Sequence, residues 1–239
     1  MSRVSSPTCN HARIPHAALA TDDGLSSSSD TMKALILVGL QNDLLAGGAI
    51  PVPDGDSVIV IANQLQLLTA FRFVVATQDW HPANHRSFFA NHQGRVRGER
   101  VKVGKTQQIL KPVHCVQQTR GAELAPALLM TRVNKVIRKG TEPDVDDYSA
   151  FFDGEHSRLT GLSDYLREKG VEKVYIMGVA TEQAIKASAL DALGLGFRTW
   201  VIEDGCRAAD PNSEEARNAF EEMRSAGVVL VSSKTLESA

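Results

Sequence analysis

The chain has 239 residues, 43% of them hydrophobic, enough to bury the core of one α/β domain. Its 26 basic and 28 acidic side chains leave a net charge of −2, which gives no electrostatic footprint for nucleic acid or for a membrane surface. Three cysteines (Cys9, Cys115 and Cys206) make no disulfide framework and fit a reducing, cytoplasmic setting, and no apolar run approaches the roughly 18 residues of a membrane span.

The first 32 residues differ from the rest. Ser5, Ser6 and the run Ser26 to Ser29 sit among Pro, Ala and Asp with no helical or strand period, so a disordered tail is expected over 1–32 and one domain over 33–239. Residues 1–21 carry Arg3 and Arg13 and no acid, a weak likeness to a mitochondrial presequence. Lys33 to Gly39 is a continuous apolar run, as in a central parallel strand buried on both faces. A helix capped by Asp54 or Asp56 is expected to run to about Phe71, with Val58, Ile61, Ala62, Leu65 and Leu68 at helical spacing. Phe73 to Thr77 reads as a strand, 86–118 as irregular, Ala122 to Met130 as a short helix and Lys135 to Arg138 as a strand. A helix over Gly161 to Glu168, a strand over Val174 to Met177, a helix from Thr181 to about Leu193 and a strand over Thr199 to Glu203 follow. A helix over Ser213 to Ser225 and a strand over Val228 to Val231 close the chain. This alternation predicts an α/β fold, a doubly wound and mostly parallel sheet of about six strands, with the site at the strands' carboxyl ends.

Two local patterns carry chemistry. Asp79 and His81 lie two apart at a strand end, so their side chains share a face, and His114 is a third candidate ligand. One carboxylate and two imidazoles suit one divalent ion, Zn, Mn or Fe. His85 is a fourth ligand or a structural loop histidine. The second pattern is Gly178-Val179-Ala180-Thr181-Glu182-Gln183-Ala184, a strand-to-helix turn of the kind that presents nucleophiles to a helix N-terminus.

Several ordered motifs together resemble the nicotinamidases, within the isochorismatase-like cysteine hydrolases. They are Leu40-Gln41-Asn42-Asp43, Gly47-Gly48-Ala49, Gln78-Asp79-Trp80-His81-Pro82, His114-Cys115-Val116-Gln117, Lys139-Gly140, Tyr148-Ser149-Ala150-Phe151, Gly178-Val179-Ala180-Thr181 and Asp204-Gly205-Cys206-Arg207. The resemblance runs from about residue 33 to the end. It implies a six-stranded parallel sheet, a metal on Asp79, His81 and His114, and descent from enzymes of NAD salvage that convert nicotinamide to nicotinate and ammonia. It also implies a cis peptide between Val179 and Ala180, and a ligand pocket that includes Leu44, Lys111, Tyr148, Val179 and Ala180. Lys139 matches the family's catalytic lysine.

The catalytic positions depart from the family. Gly39 stands where the resemblance expects the Asp base, and Ala184 where it expects the Cys nucleophile. Leu44 and Lys111 replace two aromatic wall residues, which weakens stacking on a pyridine ring. A pseudoenzyme with little or no deamidase activity is therefore expected. The alternatives are an amide hydrolase using metal-bound water, with Asp43 or Glu182 as base, and a non-catalytic subunit of a homo- or hetero-oligomer. Ser188, one turn past Ala184, is a remote substitute nucleophile. Restoring Gly39→Asp with Ala184→Cys is expected to give measurable amidase activity. The basic stretch 95–111 is a solvated loop or a site for an anionic ligand or partner.

Overall fold

A computed structural model describes residues 31–103 and 106–238. The expected tail lies outside the described residues except for Thr31 and Met32, and Met32 opens the first strand. In chain order the elements are β1 (Met32–Val38), α1 (Gly55–Gln66), β2 (Phe73–Asp79), β3 (Arg100–Val103), β4 (Thr106–Ile109), β5 (Lys135–Lys139) and α2 (Leu162–Glu168). Then come β6 (Val171–Val179), α3 (Lys186–Gly194), β7 (Arg198–Arg207), α4 (Glu214–Ala226), β8 (Val229–Val231) and α5 (Ser233–Glu237).

Six strands form one parallel sheet in the order β5-β2-β1-β6-β7-β8. The two most apolar runs take its centre: Ala34 to Val38 in β1 and Val174 to Val179 in β6 are all buried. From β1 the chain steps one way to β2 and β5, then returns to β6 and steps the other way to β7 and β8. Right-handed crossovers therefore place α1 on one face and α2, α3 and α4 on the other. The reversal between β1 and β6 leaves a crevice at their carboxyl ends, where ligands bind in such sheets. Among the described residues no helix is long and apolar enough to cross a membrane.

Three stretches differ from expectation. The helix expected over Ala122 to Met130 is replaced by 3-10 turns at Arg120–Ala122 and Met130–Arg132. Pro126 has no N–H and disfavours the helical region at Ala125. The neighbouring groups bond elsewhere: Ala125 N–H donates to Leu40 O at 2.9 Å, and Asn42 N–H to Glu123 O at 3.0 Å. Within 86–118, β3 and β4 pair as an antiparallel ribbon. The helix expected from Thr181 begins as a π-helical turn, Thr181–Ile185, and becomes α-helical only at Lys186. Such a turn changes which side chains face the crevice at the head of the helix.

Candidate functional site

A cavity of about 300 Å³ opens where β1, β2, β5 and β6 end. Its wall holds Asp79, His81, His114 and Lys139, with Ala184 at the head of the helix after β6. Leu44, Lys111, Tyr148, Val179 and Ala180 line it as well, so the expected pocket residues come together. The Val179–Ala180 peptide is cis. Gly39 is not in the lining. It lies just past β1 beneath the wall, at φ +68°, where an added Cβ would come 2.5 Å from Val179 O.

Asp79 and Lys139 meet because they are register partners across β2 and β5. Lys139 Nζ lies 2.6 Å from Asp79 Oδ1 and donates to Asp147 O at 2.7 Å. Gln41 clamps the same strand end: its Nε2 donates to Asp79 O, and its Oε1 accepts from Asp79 N–H at 2.7 Å. Burial alone would raise the Asp79 carboxyl, but Lys139, then His81, hold it below its usual range.

The two imidazoles are brought together by a parallel bridge between His81 and Val116, and their centroids are 5.0 Å apart. His81 Nδ1 lies 2.9 Å from Gly140 O, and His114 Nδ1 lies 2.8 Å from Pro112 O. A carbonyl only accepts, so both rings carry Nδ1–H and leave Nε2 as a bare acceptor. Burial lowers His81 to about 3, against the pull of Asp79, and burial followed by Lys111 lowers His114. Gly140, at φ +65°, makes room for this arrangement, since a Cβ there would come 2.4 Å from His81 Cε1. His85 has both nitrogens engaged, Nδ1 with Ser87 Oγ and Nε2 with Val145 O, which is the structural role.

Asp146 is the functional residue that sequence reasoning missed. It is 2% exposed, lines the cavity, and its Oδ2 lies 3.6 Å from Lys111 Nζ. Lys111 also sits 4.5 Å from the Tyr148 ring centre. Burial alone would lower the Lys111 ammonium, but Asp146, then Tyr148, hold it above its usual range. The only sequence signal was a run of acids, Asp144, Asp146 and Asp147, in the loop after β5. Of the basic stretch, Arg97 and Lys111 reach the cavity wall, Arg95 pairs with Glu99 at 2.8 Å, and Lys105 lies outside the described residues.

Ser188, Asp43 and Glu182, the alternative groups the sequence offers, are all engaged in hydrogen bonds. Ser188 is buried outside the lining, donating to Ala184 O at 2.6 Å and accepting from Ala150 N–H at 2.8 Å. Asp43 accepts from Cys115 N–H, and Glu182 from Ala209 N–H and Asp210 N–H, and neither lines the cavity. Burial pushes the Cys115 thiol up and the Cys206 thiol to about 12. Both thiols are therefore expected to stay unmodified when the native protein meets iodoacetamide at pH 8, as read by peptide mass spectrometry. Rapid alkylation of either would show a reactive thiol that this packing forbids.

A parallel sheet with this crevice and an acid-imidazole-lysine wall defines an isochorismatase-like hydrolase fold. The Isochorismatase domain profile matches residues 33–235. A nicotinamidase of Escherichia coli (strain K12) is 44% identical over 200 residues, covering 83% of this chain and 93% of that one. The solved Acinetobacter baumanii nicotinamidase-pyrazinamidase superposes with TM-score 0.82 at 41% identity, covering 88% of this chain and all of that one. The chain belongs to the isochorismatase family, in its nicotinamidase branch. The pyrazinamidase of Pyrococcus horikoshii, solved in complex with zinc, is 39% identical with TM-score 0.66, covering 84% of this chain and 98% of that one.

Asp79, His81 and His114, the expected metal set, all stand in the wall of the same cavity. Among the described residues no group of three or more His, Cys, Asp and Glu is disposed to hold a metal ion. His81 and His114 are oriented as ligands would be, each with its other nitrogen on a carbonyl. Asp79 Oδ1 lies against the Lys139 ammonium and is a buried oxygen that accepts no hydrogen bond.

Proposed function

We propose that the chain is a non-catalytic member of the nicotinamidase branch, a pseudoenzyme that keeps the cavity to bind a small pyridine or carboxylate-bearing ligand. One observation carries this reading: among the described residues no serine, threonine or cysteine lines the cavity. At the head of the helix the wall offers the Ala184 methyl, which cannot attack a carbonyl, and Gly39 beneath it cannot take a proton. The lysines of the wall lie against carboxylates, Lys139 on Asp79 and Lys111 on Asp146. What remains suits binding: apolar walls from Leu44, Ile109 and Val179, the Tyr148 ring, two bare imidazole acceptors and an ammonium donor.

The test is ammonia release from nicotinamide by the full chain supplied with zinc, beside the Escherichia coli nicotinamidase. Turnover at least about 10⁴-fold below that control is expected, since nucleophile and base are both missing from the unit. Calorimetry with nicotinamide and nicotinate then reports the retained binding. Turnover within about a hundredfold of the control, abolished by Asp79→Ala, would overturn the proposal and point to activated water.

A further inference from the structure

We propose that the ammonium groups of Lys111 and Lys139 stand in for a divalent cation in this cavity, so that the chain keeps its site assembled without a metal. Each carboxylate of the wall faces a cation or backbone donors, although Asp79 Oδ1 and Asp146 Oδ2 accept no hydrogen bond. Asp79 meets Lys139 at 2.6 Å, and Asp146 meets Lys111 at 3.6 Å. The Asp147 oxygens accept from Gly140 N–H at 2.7 Å and Gly154 N–H at 3.0 Å. A divalent ion seated on Asp79 would break the first contact and add two positive charges beside two confined ammonium groups.

Lys139 has no easy retreat, and Lys111, its side chain 20% exposed, is the freer of the two. Lys139 is 3% exposed, is fixed to Asp79 by strand register, and its Nζ also donates to Asp147 O. Lys111 is held by its backbone, which donates to Ser87 O and accepts from Phe89 N–H, and by the Tyr148 ring. With no cation on them, the His81 and His114 Nε2 atoms are left to accept N–H or O–H groups from a ligand, and Lys111 to donate to its acceptor. That donor-acceptor pattern suits a small heteroaromatic amide or acid. The inference concerns the same cavity as the proposed function, but its readout is metal content and zinc affinity, which are measurable whatever the turnover.

The experiment uses the full chain purified without chelator, its metal content measured by plasma mass spectrometry and its zinc affinity by competition with a chromophoric chelator. Wild type is expected to carry less than about 0.1 metal per chain. Lys111→Met, which leaves Asp146 unpaired, should bind zinc at least about tenfold tighter than wild type, and Lys111→Arg, which keeps the charge, should not. About one metal per wild-type chain, lost on Asp79→Ala, would overturn the proposal. So would a folded Lys111→Met protein with unchanged zinc affinity. Should Lys111→Met fail to fold, the wild-type metal content decides alone.

Discussion

Gly39→Asp should lower the unfolding free energy by about 3 kcal/mol, and Gly39→Asp with Ala184→Cys should release no more ammonia from nicotinamide than wild type. This reverses what the motifs alone suggest, which is that restoring two lost groups restores activity. The reason is the backbone. Gly39 has φ +68°, a region that costs an L-residue energy, and the Cβ of any replacement would lie 2.5 Å from Val179 O and 3.2 Å from Leu44 Cδ1. Val179 O belongs to a central strand and cannot swing aside as a side chain would. An aspartate placed there must shift the β1 or β6 terminus, and with it the cavity wall. Ala184→Cys alone is a different case: the site is 9% exposed in the lining, so stability should change by less than about 1 kcal/mol. That new thiol should react with iodoacetamide while Cys115 and Cys206 stay intact. Urea midpoints at unchanged slope measure the first effect and an ammonia assay the second. A double variant with a wild-type midpoint and clear ammonia release would show that the backbone follows the aspartate and that only two side chains were lost.

Lys139→Met should destabilise the fold by about 3–5 kcal/mol, because it strands the Asp79 carboxylate without its cation in a buried wall. The pair is close, 2.6 Å, and the lysine is almost wholly enclosed. Asp79→Asn with Lys139→Met should recover most of that loss, since two neutral groups of similar shape need no partner of opposite charge. Both variants are compared by urea unfolding with chelator present, so that no stray cation rescues Asp79. The sign with pH is also set. Lys139 holds the Asp79 carboxyl below its ordinary value, so its stabilisation is present above about pH 4 and is lost as pH falls toward the folded value. In Lys139→Met that acid dependence should shrink. A Lys139→Met protein as stable as wild type would mean that the ion pair contributes nothing to holding β2 and β5 together at their carboxyl ends.

The sequence by itself determined the fold class, the two central strands and several members of the pocket. Apolar runs such as Lys33 to Gly39 and Val174 to Met177 can only be buried on both faces, and their alternation with helical periods leaves a doubly wound parallel sheet as the natural solution. It also put Gly39 and Ala184 at the positions where the resemblance expects a base and a nucleophile. Other features depended on contacts that no local pattern records. Pro126 and the Leu40 carbonyl cancelled a helix that hydrophobic spacing favoured. The strand register of β2 against β5 set Asp79 beside Lys139. Asp146, one acid among several in a loop, is the partner of Lys111 only because the folded loop after β5 lines the same cavity. The backbone at Gly39, set by the approach of β6, leaves a Cβ there only 2.5 Å from Val179 O. Periodicity reports which face of an element is buried. Which charge meets which depends on register and loop closure, and these exist only once the sheet is assembled.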